Sequence, residues 1–435
     1  MQENMTNISL PYGDTYIHAK IQASSLIFKG VMKKFTPLKS LKKRMFERLD
    51  NPIGCRALKD EMEKDSKVLI LIDDNTRSTP ISKMLPILIE YITTNVGVTL
   101  NNIEIMVANG THRIMTEKEI IEKVGKEIFD NIKIYQHDVT DKNALVDLGM
   151  VEIDGFKFPV SVNKKVQEVD YIIGLGNIIP HSDAGFSGGA KIVQPGICGA
   201  VTTAATHISG ALMKEIPLGN VTDNICRKGI EEVARKVGLN FIVNVVMTPE
   251  GEIVDIFTGD FVKAHREGVK LSAEVYGTKI SELADIVVVS SSPCDIDYWQ
   301  AEKGLVSAYF CVKQGGYIIF AAPCYEGMEH NHPKLREWAK VSYKEAEIIA
   351  RKTSLEDETC DLVAADIAMS NARIREKAKV LIVTEGLSDE EISILGYKKF
   401  ETLQKAVDYA LKENPNFKIG ILPRGGDCLP CSNFH

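Results

Sequence analysis

The chain has 435 residues, 44% of them hydrophobic and 26% charged, with a formal net charge of −7. That length exceeds the usual single-domain ceiling, so two globular domains are expected. Acids and lysines are interspersed without a basic stripe, which argues against a nucleic-acid partner. No apolar run reaches the roughly 18 residues that cross a bilayer. The opening MQENMTNISLPYGDTY has neither a basic n-region nor an apolar h-region, so a cytoplasmic protein with no membrane partner is expected. Nine cysteines, spread from Cys55 to Cys431, read as buried small hydrophobes rather than a disulfide framework. The single C-x-x-C, Cys428 and Cys431, lacks the second pair of a structural zinc site.

In chain order, KVLILIDD (67–74) reads as a strand and ISKMLPILIEYITTN (81–95) as a helix. IEIMVANG (103–110) and YIIGLGNI (171–178) are further strands, with the helix TEKEIIEKVGKEIFD (116–130) between them. Near-continuously apolar strands of this kind are covered on both faces, as in parallel sheets. After a charged stretch (259–284) the pattern restarts with DIVVVSSS (285–292), GYIIFAAP (316–323), VLIVTEGL (380–387) and KIGILPRGG (418–426). YWQAEKGLVSAYFCVKQ (298–314) is the helix between the first two of these. The fold class is α/β, with two domains of mainly parallel sheet and flanking helices, divided as 1–274 and 275–435. The active site is expected in the crevice between them, at the carboxyl ends of strands.

Four constellations fall at such ends. DDNTRSTP (73–80) joins a strand to a helix, with Thr79 placed to cap and Pro80 suited to the first turn. Unpaired N–H groups there and the forked donor of Arg77 suit a phosphate or carboxylate; an ordinary capped helix start is the alternative. ANGTHR (108–113) puts His112 on the loop after a strand, where it is either structural or catalytic. HSDAGFSGGAKIVQPGICGAVTTAATH (181–207) carries His181, five glycines and Pro195 within residues 185–199, then Lys191 in mid-loop and His207 at the end of a small-residue segment that can be helical. So many glycines break any helix and let backbone approach a ligand closely. Gln300 and Lys303, three residues apart, share one helical face. His330 and His332 in GMEHNHP read as a solvated turn, and His18, His137 and His265 as surface residues.

Together, LPYGD (10–14), DDNTRSTP, NGTHR, the segment from His181 to His207 and WQAEKG (299–304) resemble the nickel-dependent lactate racemase family. Order and spacing carry the resemblance: Lys191 follows His181 by ten residues and His207 follows Lys191 by sixteen. The resemblance implies a racemase of a small 2-hydroxy acid that uses a nickel complex of pyridinium-3,5-bisthiocarboxylic acid mononucleotide. It implies that Lys191 forms a thioamide with that cofactor and that His207 ligates the nickel, which accepts sulfur and imidazole in a square plane. Asp74, Asn75, Thr76 and Arg77 are implied as cofactor contacts, and Arg77, Gln300 and Lys303 as substrate contacts. His112 and His181 are implied as the two acid–base groups, serving hydride transfer between substrate and cofactor from opposite faces. Cofactor-maturation enzymes are the implied partners. Two other classes use the same residues: a zinc hydrolase built on His112, His181 and His207, and a non-catalytic metabolite or nucleotide sensor.

Overall fold

The computed structural model describes residues 4–432 apart from 356, 358 and 359. Two six-stranded sheets organise it. The first runs in the order Ile253–Gly259, Phe241–Met247, Tyr171–Asn177, Val68–Asp73, Ile103–Ala108, Lys133–Gln136. All its pairings are parallel except that of the edge strand Ile253–Gly259 with Phe241–Met247. Counted along the chain, the order is 6-5-4-1-2-3, the doubly wound arrangement. It reverses between Val68–Asp73 and Tyr171–Asn177, where chains leave in opposite directions and open a crevice at the carboxyl ends. Val68–Asp73 and Phe241–Met247 are buried along their whole length, which explains their unbroken apolar sequence.

The second sheet is parallel throughout, in the order Lys398–Lys399, Ala378–Val383, Val312–Ala321, Ala284–Ser290, Ile419–Leu422, Leu26–Lys29. Its last strand comes from the beginning of the chain. The hairpin Met5–Tyr12 and Thr15–Gln22 also lies here, with Ile8, Leu10 and Ile21 packed among Ile286, Val288, Ile319 and Ile421. Residues 5–29 thus join the C-terminal stretch in building the second sheet and its core. The helix Lys263–Tyr276 packs on the first sheet. Across the boundary the helix Ala200–Ala211 packs against Leu362–Lys377, so Ala204 and Ile208 join the second domain's core.

Several local expectations change. The 81–95 helix is α-helical only over Ile81–Tyr91 and ends in a wider turn, Ile92–Val96, closed by Gly97 at φ 93°. The 116–130 helix is two, Glu117–Val124 and Lys126–Asn131, broken where Gly125 takes φ 88°. Thr79 does not cap: Pro80 holds the N-cap position without a side-chain bond, and the Thr79 hydroxyl donates to Asp73 instead. The nine cysteines are free, and Cys55 and Cys431 are exposed rather than buried. Among the described residues no helix is long and apolar enough to cross a membrane.

Candidate active site

Eight of the ten residues singled out from the sequence line one cavity between the domains: Asp74, Arg77, His112, His181, Lys191, His207, Gln300 and Lys303. The first six come from loops at the carboxyl ends of the first sheet and the helix that follows them. The last two come from the helix Tyr298–Tyr309 of the second domain, whose N-cap Asp297 accepts the N–H of Gln300. Asn75 and Thr76 stand apart, lining a smaller neighbouring cavity beside His112 and Trp299.

The turn after Val68–Asp73 supplies its own anion. The Asp74 carboxylate accepts from the Thr76 N–H at 3.1 Å and the Thr76 hydroxyl at 2.6 Å, and the Arg77 N–H bonds the Asp74 carbonyl at 3.3 Å. The amides expected to cradle a phosphate are thus already engaged, and Asn75 donates outward to Glu119. Lys123 pins the turn from below, donating to the Asp74 and Arg77 carbonyls at 2.8 Å each and pairing with Asp73 at 2.7 Å.

Asp74 also sets the state of His112. Its Oδ2 lies 2.6 Å from His112 Nδ1, so that nitrogen carries the proton and Nε2 keeps its lone pair. Burial alone would raise the Asp74 carboxyl, but His112, Arg77 and Thr76 outweigh it and hold the group well below the usual carboxylate range. Nε2 of His112 meets the side-chain amide of Gln300 at 3.2 Å. The Lys303 ammonium, which can only donate, takes the amide oxygen of Gln300, turning the amide N–H₂ toward the histidine. One line of contacts, Asp74–His112–Gln300–Lys303, crosses the crevice.

The opposite wall is the glycine-rich segment. His181 belongs to a two-residue strand paired with Gly185–Phe186. Beyond it Gly188 and Gly189 take φ of 74° and 61°, and a Cβ on Gly189 would lie 2.9 Å from the His265 ring. Buried side chains hold this loop by its backbone. Arg227 donates to the carbonyls of Ala184 (3.0 Å), Gly188 (3.4 Å) and Phe186, His265 Nε2 meets the Ser187 carbonyl at 2.9 Å, and Asn244 accepts from the Gly189 N–H at 2.6 Å. Lys191 follows in a short 3₁₀ turn. His207 lies inside the helix Ala200–Ala211, not at its end. Its Nδ1 donates to the Thr203 carbonyl at 2.9 Å, leaving Nε2 free to ligate a metal.

Burial and neighbouring cations make this wall reluctant to hold positive charge. Burial, with Lys191, Lys303 and Arg77, holds His181 well below its usual range. Burial lowers His207 to about 4 and Lys191 to about 8. Lys191 is therefore an available nucleophile near neutrality, whereas an ordinary lysine is almost wholly protonated. At about pH 8 an acylating reagent should label Lys191 of the unloaded protein ahead of the surface lysines. Peptide mass mapping reads this, and even labelling across all lysines would contradict it. Acids collect nearby as well: Glu302 is pushed up to about 8 by burial, and Asp366 is raised well above its usual value by burial beside Asp183 and Glu302.

Three histidines expected at the surface or in a solvated turn are buried. His137 bonds the Cys198 carbonyl at 3.0 Å, His265 holds the loop, and His332 pairs with Asp361 at 3.0 Å and stacks on Trp299 with ring centres 4.3 Å apart. His18 is exposed as expected. Among the described residues no three His, Cys, Asp or Glu side chains converge as a protein-only metal site, so nothing favours a three-histidine zinc centre. Lys123, Asp183, Arg227 and His265 were not singled out by motif. Arg227 had a signal: it shares a helical stripe with Ile230 and Ala234, where a cation is out of place.

Comparison with known proteins bears on the family and the fold. Residues 12–216 match the model of the lactate racemase N-terminal domain, and residues 280–428 that of the lactate racemase C-terminal domain. The chain is 30% identical to the lactate racemase of Thermoanaerobacterium thermosaccharolyticum, over 97% of this chain and 98% of that one. It is also 30% identical to the lactate racemase of Lactiplantibacillus plantarum, over 97% and 99%. The structure of the lactate racemase apoprotein from T. thermosaccharolyticum superposes with a TM-score of 0.86 at 28% identity, covering 98% of this chain and all of that one. A Thermotoga maritima protein of 22% identity shares the fold, with a TM-score of 0.71 over 92% of this chain. With both domain models matched in order and relatives aligned over nearly the full length, the chain belongs to the lactate racemase family, and it is an isomerase.

Proposed function

We propose that this enzyme racemises lactate or a close 2-hydroxy acid analogue, using a nickel-pincer nucleotide held by Lys191 and His207 and installed by maturation enzymes. The observation that carries the reading is one cavity in which His112 and His181 stand among three cations, Arg77, Lys191 and Lys303. The cofactor's fit is supported by the Lys191 amine, lowered by burial to about 8, and by a free Nε2 on His207. When bound, such a group supplies a reversible hydride acceptor. Arg77 and Lys303 hold the substrate carboxylate. His112 Nε2 takes the hydroxyl proton of one enantiomer while Gln300 orients the oxygen, and His181 serves the other. The Trp299–His332 stack bounds the space beside Gln300 and so favours a small substituent on the substrate.

The test is production of the chain with and without the cofactor's biosynthetic enzymes. The co-produced protein should contain stoichiometric nickel and an added mass on the peptide bearing Lys191, and it should racemise L- and D-lactate. Full activity in protein made without those enzymes would sink the cofactor assignment. In His207→Ala nickel should be lost while the thermal unfolding transition is kept, and retained nickel would place the ligand elsewhere.

A further inference from the structure

The two histidines differ in what holds their Nδ1 atoms. On His112 it is the Asp74 carboxylate at 2.6 Å. On His181 it is the backbone N–H of Asp183 at 3.2 Å. Because that N–H donates, the neutral His181 ring carries its proton on Nε2, the tautomer opposite to His112. In this form His181 cannot accept a hydroxyl proton at Nε2. Giving up its only proton would leave an imidazolate.

Both working states of an acid–base histidine carry a proton on Nδ1, and that proton needs an acceptor. A carboxylate is close by: Asp183 Oδ2 lies 3.5 Å from His181 Nδ1, beyond hydrogen-bond reach, and accepts from the Ser182 hydroxyl at 3.0 Å. Among the described residues it is the one carboxylate within ion-pair distance of His181. The other charges facing this ring, Lys191, Lys303 and Arg77, are cationic, so an imidazolium here depends on a counter-ion. The backbone of residue 183 is fixed, because Asn224 donates to its carbonyl at 2.8 Å and His181 pairs with Gly185. Engagement therefore needs rotation of the Asp183 side chain together with a small tilt of the His181 ring that takes Nδ1 off the fixed N–H.

We propose that Asp183 is the positioning residue of His181, its carboxylate turning onto Nδ1 in place of the residue's own N–H whenever the ring does acid–base work. The ring's proton moves from Nε2 to Nδ1 through water, and Asp183 accepts the hydrogen bond. The substrate O–H bond then breaks as its proton bonds Nε2; the reverse returns it. Asp74 holds this arrangement permanently on His112, whereas Asp183 makes it on demand, so the two faces of the site are unequal at rest.

The inference rests on the racemase reading, and its test separates the two. In the unloaded wild-type chain with ¹⁵N-labelled histidine, His181 should show a protonated Nε2 and His112 a protonated Nδ1, with His181→Gln and His112→Gln assigning the signals. In the loaded enzyme, single-turnover conversion of each pure enantiomer to keto acid is trapped as a hydrazone. Asp183→Asn should slow the His181-served enantiomer about 10²-fold or more relative to the other, with Asp183→Glu restoring part of the loss. Equal slowing of both enantiomers, as for a merely structural residue, or a His181 protonated on Nδ1 at rest overturns the proposal. If loaded wild-type enzyme yields keto acid from neither enantiomer, the racemase reading fails and the nitrogen shifts alone decide the tautomers.

Discussion

Replacing His112 by alanine should lower racemisation by about 10²–10⁴-fold in both directions, the usual contribution of a positioned acid–base group. The loss is bidirectional because every turnover uses both histidines in sequence, and the overall equilibrium between enantiomers is fixed by their symmetry. The half-reactions are not so bound. His112→Ala removes the base poised by Asp74 and Gln300 but leaves His181 and its loop in place. It should still convert one enantiomer to keto acid in a single turnover, and His181→Ala should convert the other. If both variants convert the same enantiomer, or either keeps near-full racemisation, the two histidines do not serve opposite faces.

Lys123→Met should destabilise the fold by about 3–5 kcal/mol, because it leaves the buried Asp73 carboxyl without its cation and frees two carbonyls of the catalytic turn. Burial already raises the Asp73 pKa in the native protein, with Lys123 and Thr79 opposing the shift. Without the ammonium the folded-state value rises further above the unfolded one. A carboxyl raised on folding binds more protons folded than unfolded, so stability falls as pH rises through that window. The deficit of Lys123→Met should therefore be largest at neutral pH and shrink on acidification. Urea unfolding of both proteins at several pH values measures it, and a deficit independent of pH would mean that Asp73 is not the group left exposed to the loss.

The residues legible in the sequence stand at strand ends, among glycines or on a shared helical face, and the family resemblance rather than position alone marks them as functional. His112 and His181 follow unbroken apolar strands, Lys191 sits among glycines, and Gln300 and Lys303 share a helical face. All line the cavity. The central strands were legible because parallel strands covered on both faces leave no polar alternation to confuse them. Phe241–Met247 is as apolar as its neighbours apart from Asn244, yet no motif draws attention to it. Arg227 and Lys123 act through carbonyls and side chains distant in sequence, contacts that no local spacing encodes. His265 looked solvated because charges surround it, but Ala264, His265, Gly268 and Ser272 form the inward stripe of its helix. The turn after Val68–Asp73 misled in another way: its donors suit an anion, and the chain provides that anion itself in Asp74.

The strand Leu26–Lys29 hydrogen-bonds to Ile419–Leu422, so a strand made before either sheet is among the last to find its place. At about 5–20 residues per second, tens of seconds separate the synthesis of those two strands. The first sheet, complete by Gly259, can form meanwhile, whereas the second has no far edge until its final strand is made. For that interval the apolar faces of Met5–Tyr12 and Thr15–Gln22 have only an incomplete core to cover them, and during synthesis they are a natural client for chaperones. A chain cut before residue 419 would keep them in that state indefinitely, and aggregation rather than a stable half-molecule is the expected fate.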